Sequence, residues 1–563
     1  MCECILTILY GWWIYHTYIA LLAGGAIHSS LSNSIMKIRH CNFTQSEGSY
    51  GGSVYFGDDH DNIFIEHSIF SYGLATYGGG IYFTTFNADV HISNCLFFAN
   101  RAMIEGGAIF SLAHDMDMVL DSFVNNSAKN AGAVSISSEN VGILNSSFSG
   151  NRADESCGGI CIRNARKVRI RCSVFRDNMG GVGGALVMEQ CSDIEVASST
   201  FESNQAESNA GGLYILLSRN VEISKSFVLL SVSRRGNGAG MFFDAVDNAT
   251  VRDSTFANNA AIVGSGSAIF ATITTPLVFL NNSFMGNRAP LGGGTVYWES
   301  DSGMDKPLGL SESWGGNYFS SDNIALYGNH VATEATHIGL LNSPAEINIT
   351  DYHNPVPYIL VYSLDAYDQI VASEYTTNVE AAAQDTDCYE GSGGYLTGSV
   401  VEQFHAGVAN ISALFAYCAP GGELTVSFFT TVQSLSMRTQ VTFYFRDCQI
   451  GEYFAERVCW FCEKGTYSIT DPHDIELSKL TQKATCHTCP SGAMSCHANT
   501  IVLKRGHWRI SESSDNVMRC PLGEVSCKGG QSVGQELCAT GYEGDNRGTS
   551  FYYLILCLFY MFF

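Results

Sequence analysis

The chain has 563 residues, which is long for one domain, with 46% hydrophobic and only 15% charged residues. This composition excludes an intrinsically disordered protein, which needs much charge and little apolar content. The 54 acidic residues outnumber the 30 basic ones, giving a formal charge of −24. Such a surface repels phosphate groups and therefore disfavours nucleic acid and anionic membrane faces as partners. Cations, neutral glycans or another protein remain.

Both ends of the chain are apolar. In residues 1–23, nineteen residues from Ile5 to Ala23 carry no charge, and this length fits a signal peptide or a membrane anchor. No Lys or Arg precedes the run, so the alternative is a cap on the first structural repeat. Residues 551–563 are too few to cross a bilayer as a helix. We interpret them as the start of a truncated membrane span, which makes the chain a predicted fragment of a longer membrane protein.

Twenty cysteines and seven Asn-x-Ser/Thr triplets favour export. Clustered cysteines indicate an oxidising compartment or a metal site. We therefore predict an extracellular or cell-surface protein. The disulfide candidates are Cys388, Cys418, Cys448, Cys459, Cys462, Cys486, Cys489, Cys496, Cys520, Cys527 and Cys538. The glycosylation candidates are Asn42, Asn125, Asn145, Asn248, Asn281, Asn348 and Asn410.

A repeat of about 27 residues fills the first half of the chain. Its signature is Gly-Gly, a small residue and an aliphatic residue, as in Gly106 to Ile109. The aliphatic position returns at intervals of 25 to 28 residues. Its members are Ile27, Val54, Ile81, Ile109, Val134, Ile160, Leu186, Leu213, Met241, Ile269 and Val296.

Two further positions share this period. In these repeats an apolar residue stands five residues before a Phe, and an Asn stands three residues after it, as in Ile92, Phe97 and Asn100. The Phe column is Phe43, Phe70, Phe97, Phe123, Phe148, Phe175, Phe201, Phe227, Phe256 and Phe284. The Asn column is Asn100, Asn126, Asn151, Asn178, Asn204, Asn259 and Asn287.

Short alternating strands at a constant repeat length cannot bury their apolar faces alone, but stacked repeats can. The sequence therefore predicts an all-β protein with a right-handed parallel β-helix over residues 24–330. About eleven coils of about 27 residues would form a rod of roughly 50 Å. The Phe column is expected to stack inside it, and the Asn column to form a hydrogen-bonded ladder along one turn.

The pairing of Gly106 to Ile109 with Phe97 to Asn100 resembles the repeat of the polymorphic outer membrane proteins of chlamydiae. Large cell-surface proteins of protists and algae carry similar repeats. The resemblance covers residues 24–323 and implies a surface-displayed β-helix associated with adhesion. It is specific for the fold, whereas the same repeat occurs in proteins with many roles.

Residues 344–447 are predicted to form a small antiparallel β-sandwich. Short alternating strands, such as Leu424 to Phe428, support it. Their order resembles immunoglobulin-like domains of the bacterial type, which implies a spacer. Cys388 and Cys418 are candidates to join two of its strands.

Residues 448–544 are predicted to form a cysteine-rich module. The pairs Cys459-x-x-Cys462 and Cys486-x-x-Cys489 fit either a zinc site or disulfides. Gly451-Glu452-Tyr453 before the first pair resembles the cysteine repeats of growth-factor and tumour-necrosis-factor receptors. That resemblance implies disulfides in an extracellular stalk.

Acidic residues in the early coils are the candidate ligands for a cation. Stacked coils would bring carboxylates together, and Ca²⁺ prefers several oxygen ligands. The alternative is a solvated acidic edge, and no other cofactor is predicted. The candidates are Asp58, Asp59 and Asp61, then Asp89, Asp115 and Asp117 on the following coils.

Catalysis is the second hypothesis, because parallel β-helices also carry pectate-lyase-like enzymes. Such chemistry needs a base, an acid and a group that neutralises a carboxylate. Arg169 and Arg171 alternate with Val168 and Ile170 and are predicted to face outward. They lie two or more coils from the acidic residues. No phosphate loop, nucleotide fingerprint or hydrolase serine motif occurs.

The sequence therefore predicts a non-enzymatic surface protein that binds a glycan or a protein through the faces of the rod, in adhesion or recognition. A polysaccharide lyase or epimerase is the first alternative, and a structural coat protein is the second. Exposed aromatic residues lining one face beside the acidic residues would favour sugar binding. A tight cluster of carboxylate, Arg and His in a groove would favour catalysis.

Overall fold

The computed structural model describes residues 5–9, 19–20, 24–29, 35–57, 60–299, 306–307, 315–341, 345–351, 353–384, 388, 393–432, 435–455, 458–471, 486–543 and 558–559. The chain divides into two compact units. The first comprises residues 1–337, 363–375 and 405–407, and the second comprises residues 338–362, 376–404 and 408–563. The cysteine-rich stretch and most of the sandwich stretch fall in the second unit, while residues 363–375 and 405–407 of the sandwich stretch fall in the first. Their separation into two domains stays a prediction.

The first unit is a parallel β-helix, as predicted. Each coil passes through four sheets, which we number first to fourth in the order in which the chain meets them. Strands of successive coils pair in parallel, as Val54, Ile81 and Ile109 do in the first sheet. Ile5–Leu9 is different, because it pairs antiparallel with Ile35–Arg39.

The strands of each sheet follow at the repeat period. The first sheet contains Ile27–Ser29, Val54–Phe56, Ile81–Phe83, Ile109–Ser111, Val134–Ile136, Ile160–Arg163, Leu186–Glu189, Leu213–Leu216, Met241–Asp244, Ile269–Thr272, Val296–Trp298 and Val331–Thr333. The second contains Ile5–Leu9, Ile35–Arg39, His60–Glu66, Asn87–Ser93, Asp115–Val119, Asn140–Leu144, Lys167–Arg171, Ser192–Ala197, Arg219–Ser224, Asp247–Arg252 and Thr275–Leu280. The third contains Asn42–Thr44, Ile69–Ser71, Leu96–Phe98, Ser122–Val124, Ser147–Ser149, Val174–Arg176, Thr200–Glu202, Phe227–Leu229, Thr255–Ala257, Ser283–Met285 and Tyr318–Phe319. The fourth contains Ile19–Ala20, Glu47–Gly48, Leu74–Tyr77, Arg101–Glu105, Ser127–Ala128, Arg152–Ala153, Met179–Gly180, Gln205–Ala206, Val232–Ser233 and Ala260–Ala261.

The Phe column forms a stack inside the β-helix, as predicted. From Phe43 to Phe201, successive ring centroids lie 4.6 to 4.9 Å apart. Adjacent strands are separated by about the same distance, so ring-on-ring packing adds no strain to the strand spacing. The stack fixes which residues of the third sheet face inward.

The prediction was wrong for one member of the Phe column. Phe227 faces outward and is 49% exposed, whereas Val228 takes the inward position and is fully buried. Val228 is in register with Phe201 and Phe256, so the chain keeps the strand alternation and gives up one ring of the stack.

The Asn column forms the predicted ladder. The Nδ2 of Asn151 donates to the carbonyl oxygen of Phe123 and to Oδ1 of Asn178, both at 3.0 Å. The Oδ1 of Asn151 accepts from the backbone N–H of Asn126 at 2.9 Å. All members of the column are fully buried, and the ladder therefore satisfies backbone groups that would otherwise lack a partner at this turn.

The connections from the fourth to the first sheet differ in length. Val54 follows Glu47 by seven positions in the sequence, whereas Met241 follows Val232 by nine. Glycine recurs here because the chain turns sharply: Gly78 has a φ of 62°, and a Cβ at this position would collide with the Ile81 carbonyl oxygen.

The described last coil of the β-helix is covered by residues 363–375, which belong to the same unit. Trp298 Nε1 donates to the Tyr367 hydroxyl at 3.1 Å. Gln369 Nε2 donates to the Val331 carbonyl oxygen at 2.9 Å. Val331 lies on the last strand of the first sheet, which has no further coil to pair with, whereas Trp298 lies on the strand before it.

The second unit consists of small sheets, most of them antiparallel, and two short 3-10 helices. A three-stranded sheet contains His337–Gly339, Ile359–Leu364 and Val408–Ile411, and a five-stranded sheet contains Glu346–Ile349, Leu435–Phe445, Glu423–Val432, Asn378–Ala383 and Val401–Gln403. The two-stranded pairs are Tyr395–Gly398 with Leu414–Tyr417, Glu452–Ala455 with Val458–Phe461, Thr466–Tyr467 with His487–Thr488, Ala493–His497 with Thr500–Leu503, His507–Trp508 with Met518–Arg519, and Tyr542–Glu543 with Leu558–Phe559. The 3-10 helices are Gly523–Val525 and Gly534–Leu537.

Disulfides join the predicted cysteines of the second unit. Because Cys459 and Cys462 bond to different partners, the two Cys-x-x-Cys pairs do not offer four thiolates to zinc. Cys538 is also disulfide-bonded. The described pairs are Cys388–Cys418, Cys448–Cys459, Cys462–Cys486, Cys489–Cys496 and Cys520–Cys527.

A sixth pair, Cys157–Cys161, closes a connection within the β-helix and was not predicted from the sequence. Among the described residues, no helix has the length and apolar character needed to cross a bilayer. Most residues of the two apolar ends, 1–23 and 551–563, are not among the residues that the structure describes.

Replacing Asn151 by Ala should lower the free energy of unfolding by about 3 kcal/mol. The change leaves the buried Phe123 carbonyl and Asn126 N–H without their partner, and such groups are costly to leave unpaired. Urea unfolding followed by circular dichroism measures the loss. The control is Ser149→Ala, because Ser149 faces outward beside the stack and its replacement should cost less than about 0.5 kcal/mol. Equal losses in the two variants would contradict a stabilising ladder.

Candidate functional site

The outer face of the first sheet carries a row of stacked aromatic rings. Because side chains alternate along a strand, the middle residue of each strand points away from the core. Ring centroids lie 4.9 Å apart for His28 and Tyr55, 5.5 Å for Tyr55 and Tyr82, and 5.1 Å for Tyr82 and Phe110. The stack inside the β-helix thus has an aromatic counterpart on its surface.

A second row of rings lies beside the first. Tyr50 and Tyr77 precede consecutive Gly-Gly turns, and their rings are parallel within 5° with centroids 5.9 Å apart. The ring of Tyr50 stands at 73° to that of Tyr82, and the ring of Tyr77 at 66° to that of Phe110. Tyr50 is 42% exposed. We call these four residues together with Tyr55 the tyrosine platform.

The phenol of Tyr82 stays protonated at neutral pH. Burial, and then charge repulsion from the neighbouring phenols of Tyr55, Tyr50 and Tyr77, raise its pKa to about 12. Tyr82 therefore presents a neutral hydroxyl group, which both donates and accepts hydrogen bonds.

A polar cluster continues the platform along the axis. Glu105 is in register with Tyr77 on the next coil. Its carboxylate accepts from the Ser135 hydroxyl at 2.9 Å and pairs with Arg163, which also contacts Glu189 at 3.5 Å. We call these four residues the Glu105 cluster. Aromatic surface and fixed hydrogen-bonding groups thus adjoin on one face.

Further along the same outward column the rings are covered. Phe242 and Phe270 are only 6% and 2% exposed, and they pack with Ala210 from a connection between the fourth and first sheets. Tyr214 and Tyr297 of this column are half-buried, as Tyr55 and Tyr82 are, and the exposed ring beside the column, Tyr50, lies in the early coils.

The sequence signal for the platform is a double recurrence. Tyr50 and Tyr77 are 27 residues apart, and so are Tyr55 and Tyr82. The columns that guided the sequence analysis mark inward positions, and for that reason the outward tyrosines were missed.

The acidic candidates for a Ca²⁺ site lie on the outer face of the second sheet. Asp115 accepts from Asn140 Nδ2 at 2.6 Å, and Asp117 lies 3.4 Å from His91 Nδ1. Asp61 is exposed on an earlier strand. Asp58 and Asp59 lie outside the described residues, so the proposed site stays a prediction.

Asp89 is in register with Asp115, as stacking of the coils requires.

Within the described part of the chain, one group alone has three possible ligand atoms close enough for a metal: Cys448, Glu452 and Cys459. Its two cysteines form a disulfide and its glutamate pairs with Arg446, so these atoms are already engaged.

A chain of charged groups runs along the turn before the second sheet. Arg166 pairs with Glu139 at 2.6 Å, and the other oxygen of Glu139 lies 2.7 Å from His114 Nε2. His114 Nδ1 lies 3.1 Å from Asp115. The side chain of His114 is 57% exposed, so this carboxylate, Arg and His cluster lies on an open surface.

Arg169 and Arg171 face outward, as predicted. Arg171 forms two hydrogen bonds to Glu195, at 2.9 and 2.6 Å. Arg169 shares its outward column with Asp117, with Gly142 in between. Two strand spacings, about 10 Å, therefore separate this carboxylate from this guanidinium.

All seven asparagines of the Asn-x-Ser/Thr triplets are exposed, in contrast to the buried asparagines of the ladder. The contrast is sharpest at Asn125 and Asn126, which are adjacent in sequence. Exposure meets the steric requirement for glycosylation, which itself stays a prediction.

A buried carboxylate, Asp121, was missed by the sequence analysis. It occupies a turn position that holds Ser146 and Ser173 in the next two coils. Its Oδ1 accepts from the backbone N–H of Cys95 at 2.8 Å, while Oδ2 is buried without a hydrogen-bond partner in the description. Burial raises the pKa of Asp121 to about 7, against the lowering effect of its backbone hydrogen bonds.

A sequence model of the family described as periplasmic copper-binding protein (NosD) matches residues 124–323. The match covers part of the β-helix and ends before the second unit. A comparison of the chain with curated proteins gives no match. Fold and comparison agree that this chain is a parallel β-helix protein.

Replacing Asp121 by Asn should flatten the dependence of stability on pH. The folded state holds its proton up to about pH 7, whereas the unfolded carboxyl loses it near pH 3.8. The stability contributed by the protonated group is therefore complete below that lower value and is lost as pH rises through about 7. Asn is accommodated at this position, since Asn282 occupies it in a later coil and donates to Val251.

Thermal unfolding at about pH 5 and about pH 8.5 tests this expectation. The wild type should lose more stability than the variant between the two values. Asp177→Asn makes the same chemical change at an exposed position and should leave the pH profile unchanged. A variant at Asp121 that follows the wild-type profile would contradict the assignment.

Proposed function

We propose that this protein acts in adhesion or recognition at a cell surface, binding a glycan or a protein through a lateral face of the β-helix without altering it chemically. The observation that carries the proposal is the tyrosine platform beside the Glu105 cluster. Aromatic rings with polar tips are enriched where a partner binds, because they combine apolar area with hydrogen bonding.

Several features support an envelope or extracellular location. Disulfides persist in oxidising compartments, and six pairs occur among the described cysteines. The matched family is described as periplasmic. Exposed glycosylation triplets agree with export in an organism that glycosylates its surface proteins.

Copper binding, the property in the name of the matched family, does not fit this chain. Residues 124–323 contain no histidine. Cys157 and Cys161 form a disulfide, and the buried thiol of Cys191 bonds to the Glu189 carbonyl oxygen at 3.3 Å. The described methionines of this stretch lie on three different sheets: Met179, Met188, Met241 and Met285. Soft ligands and imidazoles, which copper prefers, are thus not gathered there.

A second candidate function is polysaccharide lyase or epimerase activity. The chain from Arg166 through Glu139 to His114 favours it, because these groups could move a proton and neutralise a sugar carboxylate. Their exposure favours the first candidate, since charged groups in bulk water stabilise a transition state far less than buried ones.

Incubating the secreted protein with neutral and uronate polysaccharides, and with surface proteins, should give retention without turnover. Bound polymer and new chain ends are measured in the same samples. If the wild type produces new chain ends and His114→Ala does not, the protein is an enzyme and the proposed recognition function is wrong. Failure to retain any polymer or protein would favour a structural coat.

Adding copper should leave the thermal unfolding temperature unchanged, because the described residues within 124–323 bring no set of metal ligands together. Scanning calorimetry with a small molar excess of Cu²⁺, or of Cu⁺ under reducing conditions, tests this. A stoichiometric complex with a raised unfolding temperature would show that the family property extends to this chain.

A further inference from the structure

The glycosylation triplets are unevenly distributed around the β-helix. Asn42, Asn125, Asn145 and Asn281 lie on or beside strands of the third sheet, and Asn248 lies on a strand of the second. The described strands of the first and fourth sheets contain no asparagine at all. Oligosaccharides added at these sites would cover the second and third sheets and leave the tyrosine platform bare.

We infer that the tyrosine platform and the Glu105 cluster bind a neutral polysaccharide laid along the axis of the β-helix. This inference rests on the proposed recognition function and names its ligand class. The platform lies before the residues that the family model matches, whereas Ser135, Arg163 and Glu189 of the Glu105 cluster lie within them.

Ring geometry favours an extended sugar chain. Tyr50 and Tyr77 offer two parallel rings that repeat along the axis with centroids 5.9 Å apart. Neighbouring sugar rings in an extended polysaccharide repeat at a similar interval. The rings of each row stack on one another, so they present their edges and hydroxyl tips to a ligand laid along the axis. The C–H groups of a sugar are apolar and its rim carries hydroxyls, so one ligand can contact these edges while its hydroxyls bond to the phenols.

The Glu105 cluster completes the polar side of the site. Its carboxylates can accept hydrogen bonds from sugar hydroxyls, and the guanidinium of Arg163 can donate to them. Arg163 already contacts both Glu105 and Glu189, which leaves one net negative charge in the cluster. A uronate polymer is itself negatively charged and would be repelled by this charge and by the overall charge of −24, so a neutral polymer is favoured.

The size of the open surface argues against a protein ligand. A standard protein interface uses about 20–30 residues on each side. The platform contains five residues, and beyond the Glu105 cluster the same column is covered at Phe242 and Phe270. A narrow strip of this kind suits a single polymer chain.

Affinity electrophoresis of the full chain with soluble β-1,3-glucan, β-1,4-glucan, mannan and polygalacturonate tests the inference. We expect at least one neutral polymer to bind, and Tyr50→Ala to weaken that binding about tenfold, because it removes an exposed ring of the platform. Tyr50→Phe keeps the ring and should retain most of the affinity.

Tyr72→Ala is the matched control. Tyr72 is 54% exposed and contacts a neighbouring ring, Phe98, but lies beside the third sheet. It should leave affinity within about twofold of the wild type. Glu105→Gln gives an independent readout, since it preserves the shape of the carboxylate and should weaken binding while leaving the Tyr50 ring in place.

The outcomes separate the two proposals. Retention of a neutral polymer that neither Tyr50→Ala nor Glu105→Gln weakens would overturn the platform site and leave recognition standing. Preferred binding of polygalacturonate, or binding of surface proteins alone, would overturn the neutral polysaccharide. Cleavage of the polymers, or no retention of any polymer or protein, would overturn the recognition function itself.

Discussion

The spacing between coils constrains everything else in the β-helix. Each inward side chain lies one strand spacing from its equivalents above and below, so a column tolerates only residues that stack on themselves or bond to themselves. Phe does the first and Asn does the second. One coil departs at both positions: Val228 replaces the ring, and Ser231 takes the place of the ladder asparagine, with its backbone N–H bonded to Asn259. The first two coils keep the ring at Phe43 and Phe70 but lack the asparagine, and the backbone N–H of Gly73 bonds to Asn100 instead. The columns thus hold the scaffold together while carrying no binding function.

Strand alternation leaves the outward residues free of this constraint. On the first sheet, Val54 and Phe56 complete the core while Tyr55 between them belongs to the platform. Scaffold and binding surface are consequently interleaved in sequence and separated in space. Charged groups follow the same logic on the second sheet, where Arg171 and Glu195 pair across coils outside the core.

The inward half of this structure could be predicted from the sequence, because self-stacking forces inward residues to recur. Phe227 shows the limit of this prediction. It lies one residue before the inward position, close enough to fit the repeat, and only the alternation of the strand assigns that position to Val228. Asp121 could have been recognised as the single acidic member of a column of small polar residues. Outward residues need not recur, so the platform left in the sequence only the double recurrence of its tyrosines, and the Glu105 cluster left no signal. The bond between Cys157 and Cys161 also became visible only in the structure, since four residues of separation alone do not predict a bond.

The length of the connections between the fourth and first sheets has a consequence for how the binding surface could change. Phe242 and Phe270 belong to the same outward column as the platform, but they lie beneath chain from these connections. Ala210, which packs on these rings, lies in the connection from Gln205 to Leu213, where Leu213 follows Gln205 by eight positions. Shortening this connection to the seven positions found before Val54 would expose more of these rings without altering any stacked residue. The footprint of a ligand on this protein is therefore adjustable one coil at a time, by insertions and deletions rather than by substitutions, at positions that the core does not constrain.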